Sequence, residues 1–306
     1  MVYHEIRIVN GKKQNYLVYN SRERNKWIKK SKFIGLGDLD KKEISLLKKE
    51  FEKEIVLNKN YIYLKLGDIK EIEYLKNIYN KKIKRLKKEE YEKFQKSFFT
   101  ELTYNSNAIE GNSLNLEETS LAVNDKIVPG GKTLREIYEA KGHMDALNFI
   151  NTYKGDLNEG FILKIHSIIL KNISERFAGK YRETNVRIFG SDVKLPNYFL
   201  VPQLMKNLIY WYKKNKKNYH PFEMAILISM KLVMIHPFVD GNGRVSRLVM
   251  NFLLNKKKYP WINIYTKQRQ RYLESVRKAN DENYSLIFPF LIKTLKENLK
   301  DFNIVL

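Results

Sequence analysis

The sequence predicts an all-α, mainly helical protein carrying two small β-hairpins. Three observations predict it. Apolar residues recur at helical spacing, with no internal proline, through 40–57 and 68–98, and most of 97–260 keeps that spacing. Strand-like alternation is confined to 1–20 and 185–196. Of the 306 residues, 43% are hydrophobic, enough to build the core of one large domain or two modest ones.

Taken in order, Ile6 and Ile8, then Tyr16 and Val18, alternate on either side of Asn10-Gly11. Asn-Gly favours the turn that matches strand twist, so the first twenty residues read as a hairpin. A basic connector, SRERNKWIKKSK, follows. Helices are expected at 40–57 and 68–98, then near 97–110, 116–124, 132–153, 159–171, 201–215, 221–235 and 243–255, with a helical tail over 267–300. In NVRIFGSDVKLP, Val186 and Ile188 alternate, Gly190-Ser191-Asp192 turns, and Val193 and Leu195 alternate back, which reads as the second hairpin. The expected division is a basic region over 1–95 and a helical domain over 96–306.

There is no cysteine, which excludes disulfides and thiolate metal sites and suits a reducing, cytoplasmic home. The start, MVYHEIRIVN, lacks a signal-peptide core, and the most apolar run, MAILISMKLVMI, is short and broken by Lys231, so no membrane span is expected. The formal charge is +23, and residues 1–100 hold 26 Lys+Arg against 14 Asp+Glu. Lysines spread along helices read first as a solvated face, but a basic surface also admits nucleic acid through the N-terminal region.

The chemistry concentrates in HPFVDGNGRVSR, 236–247. Pro237 disfavours helical geometry at His236, so an apolar helix should end there. Gly241 and Gly243 permit backbone angles other residues resist, and Asn242 tolerates them too. A helix starting near Gly243 offers unpaired N–H groups and partial positive charge, an anion cradle. Arg244 and Arg247 share a helix face and suit phosphate oxygens. Asp240 can hold magnesium beside substrate phosphates. His236 can take a proton from a hydroxyl nucleophile. Together these groups describe phosphoryl-type transfer. By contrast, His220-Pro221-Phe222 has no glycines or arginines after it; Pro221 suits a first helical position, and His220 reads as structural.

HPFVDGNGRVSR resembles the signature of the Fic family (filamentation induced by cAMP), His-Pro-Phe-x-[Asp/Glu]-Gly-Asn-Gly-Arg-x-x-Arg, with every specified position filled. GKTLREIYEAKGHMDAL, AGKYRETNVRIFG and YLESVRKAN are similar to other stretches of the Fic core, so the resemblance covers about 97–295. It implies the helical Fic fold and transfer of AMP from ATP, with Mg²⁺, to a Ser, Thr or Tyr hydroxyl of a target protein or of the chain itself. His236 would be the base, Asp240 the metal ligand, and Gly241, Asn242, Gly243, Arg244 and Arg247 the phosphate contacts. Ile188, Phe189 and Gly190 would belong to the flap over the nucleotide. Tyr272 and Asn280 would hold adenine, although many relatives carry two tyrosines where this chain has Tyr272-Leu273.

SNAIEG, 106–111, raises a separate point. Gly111 should cap a helix, leaving Glu110 in a last turn whose dipole disfavours a carboxylate unless a cation is near. The stretch resembles the Fic inhibitory motif, [Ser/Thr]-x-x-x-Glu-[Gly/Asn]. That implies autoinhibition by Glu110, with Ser106 on the same face, pairing with Arg247. The resemblance also implies a homodimer. Two alternatives remain open: a Fic-fold enzyme that removes AMP or transfers another phosphate-containing group, and a nucleic-acid-binding protein with a vestigial site.

Overall fold

The computed structural model describes residues 2–23, 26–57, 61–188 and 193–301; of 21–23, 26, 53, 56 and 57 it describes the backbone alone. The chain divides into two compact units, 1–70 and 71–306.

The first unit is an antiparallel meander, β1 (Val2–Val9), β2 (Lys12–Glu23) and β3 (Lys26–Leu36), followed by helix α1 (Lys41–Leu57). Asn10 and Gly11 both take positive φ, 50° and 71°, and make the expected tight turn. One sheet face packs on α1 through Val2, Leu17, Phe51 and Ile55. The hairpin is therefore only part of a three-stranded sheet, and much of the basic connector is β3. Its lysines conceal a period of two: Ile28 and Ile34 point to one side, Trp27 and Phe33 to the other.

Helix α2 (Leu66–Ile83) crosses the chain position where the units divide. The second unit then builds α3 (Lys88–Ile109), α4 (Leu116–Ser120), α5 (Leu134–Thr152), α6 (Glu159–Leu170), α7 (Val201–Asn215), α8 (Pro221–Ile235), α9 (Asn242–Lys256), α10 (Arg269–Asn280) and α11 (Ile287–Asp301). The single helix expected over 68–98 is two. Arg85 and Leu86 close short turns onto Lys82 and Ile83, and the Glu90 carboxylate accepts from the Lys87 N–H to start α3. Residues 95 and 96, the boundary suggested by the sequence, lie inside α3. The helical tail likewise breaks between α10 and α11, where Glu282 adopts φ 57°.

Helix α8 is buried on nearly every side, as its unbroken apolar run requires, and it packs against α7, α9 and α10. His220 caps it: its Nδ1 accepts from the Phe222 N–H at 3.3 Å, and its Nε2 faces Glu73 at 3.2 Å. With no exposed surface, this histidine is structural, as expected. Among the described residues, no helix is long and apolar enough to cross a membrane.

The second hairpin is not seen as such. Residues 185–188 and 193–197 form no strand ladder, and the expected turn at 190–192 lies outside the described residues. What joins the two arms at their base is a side chain, that of Arg182.

Candidate active site

The junction of α8 and α9 is built by left-handed backbone at both ends. His236 closes α8 with φ 50°, ψ 58°, and Gly241 opens α9 with φ 80°. Between them, the Asn242 amide accepts from the Phe238 N–H at 2.9 Å and donates to the Phe238 carbonyl at 2.8 Å. This pair of bonds closes the loop. The Asn242 side chain is thus committed to backbone, and what it can offer an anion is its own N–H at the helix start.

His166, on α6, supports the loop from below. Its ring stacks on Phe238 at 3.6 Å. The Gly179 N–H donates to Nδ1 at 3.0 Å, so Nδ1 carries no proton, and Nε2–H donates to the Asp240 carbonyl at 3.1 Å. Burial pushes its pKa down to about 4. As pH falls, the unfolded chain takes up this proton first. The stability His166 confers is complete above about pH 6.5 and is lost between there and about pH 4, roughly 3 kcal/mol in all. Denaturant melts at pH 7 and pH 4.5 should show a smaller difference for His166→Gln than for the parent chain; equal differences would refute the assignment.

The His236 ring is fixed by its own helix. Nδ1 faces the Val233 carbonyl at 3.2 Å; a carbonyl only accepts, so Nδ1 carries the proton and Nε2 keeps its lone pair. Burial lowers its pKa, against the opposing pull of Val233, Glu110 and Asp240. The ring is therefore neutral at neutral pH.

Arg182 holds this histidine from behind. It is 2% exposed. Its backbone N–H donates to the Pro237 carbonyl at 2.9 Å and Nε donates to the His236 carbonyl at 2.8 Å. Its two terminal nitrogens donate to the carbonyls of Thr184, at 3.1 Å, and Pro196, at 2.5 Å. One guanidinium thus ties both arms of the flap segment to the histidine loop. Arg182→Met removes three side-chain bonds and should cost about 3 kcal/mol in denaturant melts. A loss within experimental error would show that the three carbonyls find other partners.

Arg247 is 5% exposed on α9. Nε donates to Ser106 Oγ at 3.1 Å, and the NH2 nitrogen donates to the Ser106 carbonyl at 2.8 Å. The same nitrogen lies 2.8 Å from Glu110 Oε1. Burial alone would lower the Arg247 pKa, but the Glu110 carboxylate and Tyr272 outweigh it and raise the value. Glu110 is the C-cap of α3, and Gly111 follows it at φ 101°. A Cβ at position 243 would overlap the Glu110 carboxylate, so the absence of a side chain at Gly243 is what lets Glu110 reach Arg247.

Asp240 is held by cations. Its Oδ1 accepts from the Gly241 N–H at 2.5 Å and from Arg244 at 3.2 Å, and its Oδ2 accepts from the largely exposed Arg135 at 2.8 Å. Arg244 is buried, forms an ion pair with Glu139 at 3.5 Å, and, among the described residues, leaves Nε without a hydrogen-bond partner. A buried guanidinium short of acceptors suits an anion.

A cleft of about 340 Å³ opens over this junction. Of the residues expected from the sequence, Glu110, Ile188, His236, Gly243, Arg247, Tyr272 and Asn280 line it. Asp240, Gly241, Asn242, Arg244 and Ser106 are not in its wall, and Phe189 and Gly190 lie outside the described residues.

The Fic/DOC family profile matches residues 156–254, from just ahead of α6 to the last turns of α9. The chain carries a Fic domain. It is 37% identical to a protein named "Protein adenylyltransferase Fic" from Nematostella vectensis over 182 residues, 58% of this chain and 42% of that protein. Its identity to the protein of the same name from Drosophila grimshawi is 32% over 224 residues, 72% of this chain and 44% of that one. The chain thus spans less than half the length of these relatives. A crystal structure of a Fic domain containing signaling protein from Bacteroides thetaiotaomicron superposes with TM-score 0.68 at 26% identity, covering 75% of this chain and 94% of that one.

The matched Fic segment supplies His236, Gly243 and Arg247. Glu110 comes from α3 ahead of it, and Tyr272 and Asn280 from α10 beyond it. Sequence reasoning missed Arg269 and Arg277, which also line the cleft of the Fic domain. A signal for them existed: 269, 273 and 277 continue at helical spacing beside 272, 276 and 280, one stripe of α10. Arg182 lies within AGKYRETNVRIFG, the stretch similar to the Fic core, but no spacing rule singles it out there.

Proposed function

We propose that the chain is a protein adenylyltransferase that transfers AMP from ATP to a hydroxyl of a protein target, and that Glu110 holds it inactive at rest. One observation carries the reading: the Glu110 carboxylate lies 2.8 Å from Arg247 in the same cleft that His236 lines. The names of the relatives support the reaction class.

In this reading, the α9 N–H groups and Arg244 and Arg247 receive the triphosphate. His236 Nε2, left basic by the proton on Nδ1, accepts the proton of the target hydroxyl. The hydroxyl oxygen bonds the α-phosphorus as its bond to the bridging oxygen breaks, and pyrophosphate departs. The donor set around Asp240 fits magnesium: magnesium takes one or two carboxylates plus substrate phosphates, and Asp240 Oδ2 is held by a surface arginine that can swing away. Bound there, the metal would neutralise charge on phosphate oxygens. At rest, Glu110 occupies Arg247 and the space over Gly243, so the end of the triphosphate has no seat.

The test is the identity of the transferred group. Glu110→Gly protein incubated with ATP and magnesium should gain AMP on a Ser, Thr or Tyr, read by mass spectrometry of its peptides. Gain of bare phosphate, or of no group on any target supplied, counts against AMP transfer.

A further inference from the structure

We propose that the sheet face turned away from α1 binds single-stranded nucleic acid. Residues 2–36, the three strands, hold nine Lys+Arg against two Asp+Glu, whereas the whole chain holds 57 against 34. In the remainder of the first unit, 37–70, the numbers are eight and seven. The basic excess of this unit is therefore a property of its sheet.

The strand register separates the two faces. Val2, Leu17 and Tyr19 face α1. The opposite parity pairs Tyr16 with Phe33, Asn20 with Lys29 and Val18 with Tyr3. On that face, aromatic rings stand in solvent at both edge strands: Trp27 is 76% exposed, Phe33 49% and Tyr3 39%. By register, Arg7, Lys12, Arg22 and Lys29 share this parity, whereas Lys13, Lys26, Lys30 and Lys32 share that of Val2 and Leu17. The Arg7 guanidinium lies 4.1 Å from the Tyr16 ring centre, and Tyr16 meets Phe33 edge-on at 5.5 Å. Glu5, the acid on this face whose side chain is described, is paired with Arg7 at 2.6 Å and Lys29 at 3.8 Å.

Exposed rings interleaved with cations on a sheet suit one polymer best. Unpaired bases stack on aromatic faces while Lys and Arg follow the phosphates. A duplex hides its base faces and would use only the cations. An acidic peptide would gain little from the rings; an anionic membrane could use both rings and cations, and the vesicle titration below separates it from a base-stacking ligand. The surface is independent of the AMP-transfer reading and stands or falls without it.

The full-length chain is titrated with fluorescein-labelled dT15, with a 15-base-pair duplex, with heparin and with phosphatidylserine vesicles. Binding to dT15 should exceed binding to the duplex and should weaken linearly in log salt. Trp27→Ala and Phe33→Ala should each weaken dT15 binding about fivefold or more, with heparin affinity unchanged. Lys29→Ala should lower the salt slope by about 0.7. Because Trp27 stands on the surface, its loss should leave the melting curve unchanged, which separates lost contact from lost fold. The proposal is overturned if dT15 does not bind at low salt. It is overturned equally if heparin, duplex or vesicles bind as tightly and Trp27→Ala changes nothing.

Discussion

Glu110→Gly should raise incorporation of AMP from labelled ATP by about tenfold to a hundredfold, the gain for a site that is open in only about 1–10% of molecules until the carboxylate is removed. Two consequences of the substitution act together. The Arg247 nitrogen loses its carboxylate and becomes available to phosphate, and the space over Gly243 empties. The fold should tolerate the change. The Glu110 side chain is 40% exposed, and Arg247 keeps both bonds to Ser106. Glu110→Gln should fall between the two, since it keeps the shape and loses the charge. The measurement pairs incorporation with ATP affinity by calorimetry, and both should rise. Equal incorporation by the parent and the glycine variant would remove Glu110 from any inhibitory role.

The second large effect lies at His236. In the Glu110→Gly background, His236→Ala should reduce incorporation by about 10²- to 10⁴-fold, the ordinary contribution of a general base. ATP affinity should hold, because the proposed phosphate contacts are backbone N–H groups and arginines. The pH profile supplies an independent check. In the proposed reading the working form of His236 is neutral, and burial lowers its pKa below the ordinary histidine value of about 6.5. Incorporation should therefore stay level through neutral pH and decline only on the acid side, below about pH 6.5. A decline beginning above pH 7 would mean that another group limits the reaction. Retention of full rate by His236→Ala would end the base assignment.

How far these features were legible in the sequence depends on whether local backbone rules governed them. The histidine loop obeyed such rules. Pro237 ended α8 at the expected residue, the glycines gave the start of α9, and Gly111 took the left-handed angle that its place after a helix implied. The meeting of Glu110 with Arg247 obeyed no local rule: the two lie on different helices, and resemblance alone joined them. The resemblance made Asn242 a phosphate contact. Only the structure shows its amide bonded to Phe238, which closes the loop. Strand β3 was hidden by composition, since lysines at 26, 29, 30 and 32 look like a linker until a partner strand is present. Arg182 was hidden by solitude. Its four partners are carbonyls, which leave no trace in side-chain spacing.

Position 243 holds a further lesson. The carboxylate from α3 and any methyl group on that backbone atom would compete for one volume. In the proposed reading, restraint therefore depends on an empty place as much as on a charged partner. An alanine there would evict the glutamate while leaving every ionised group of the pair in the chain.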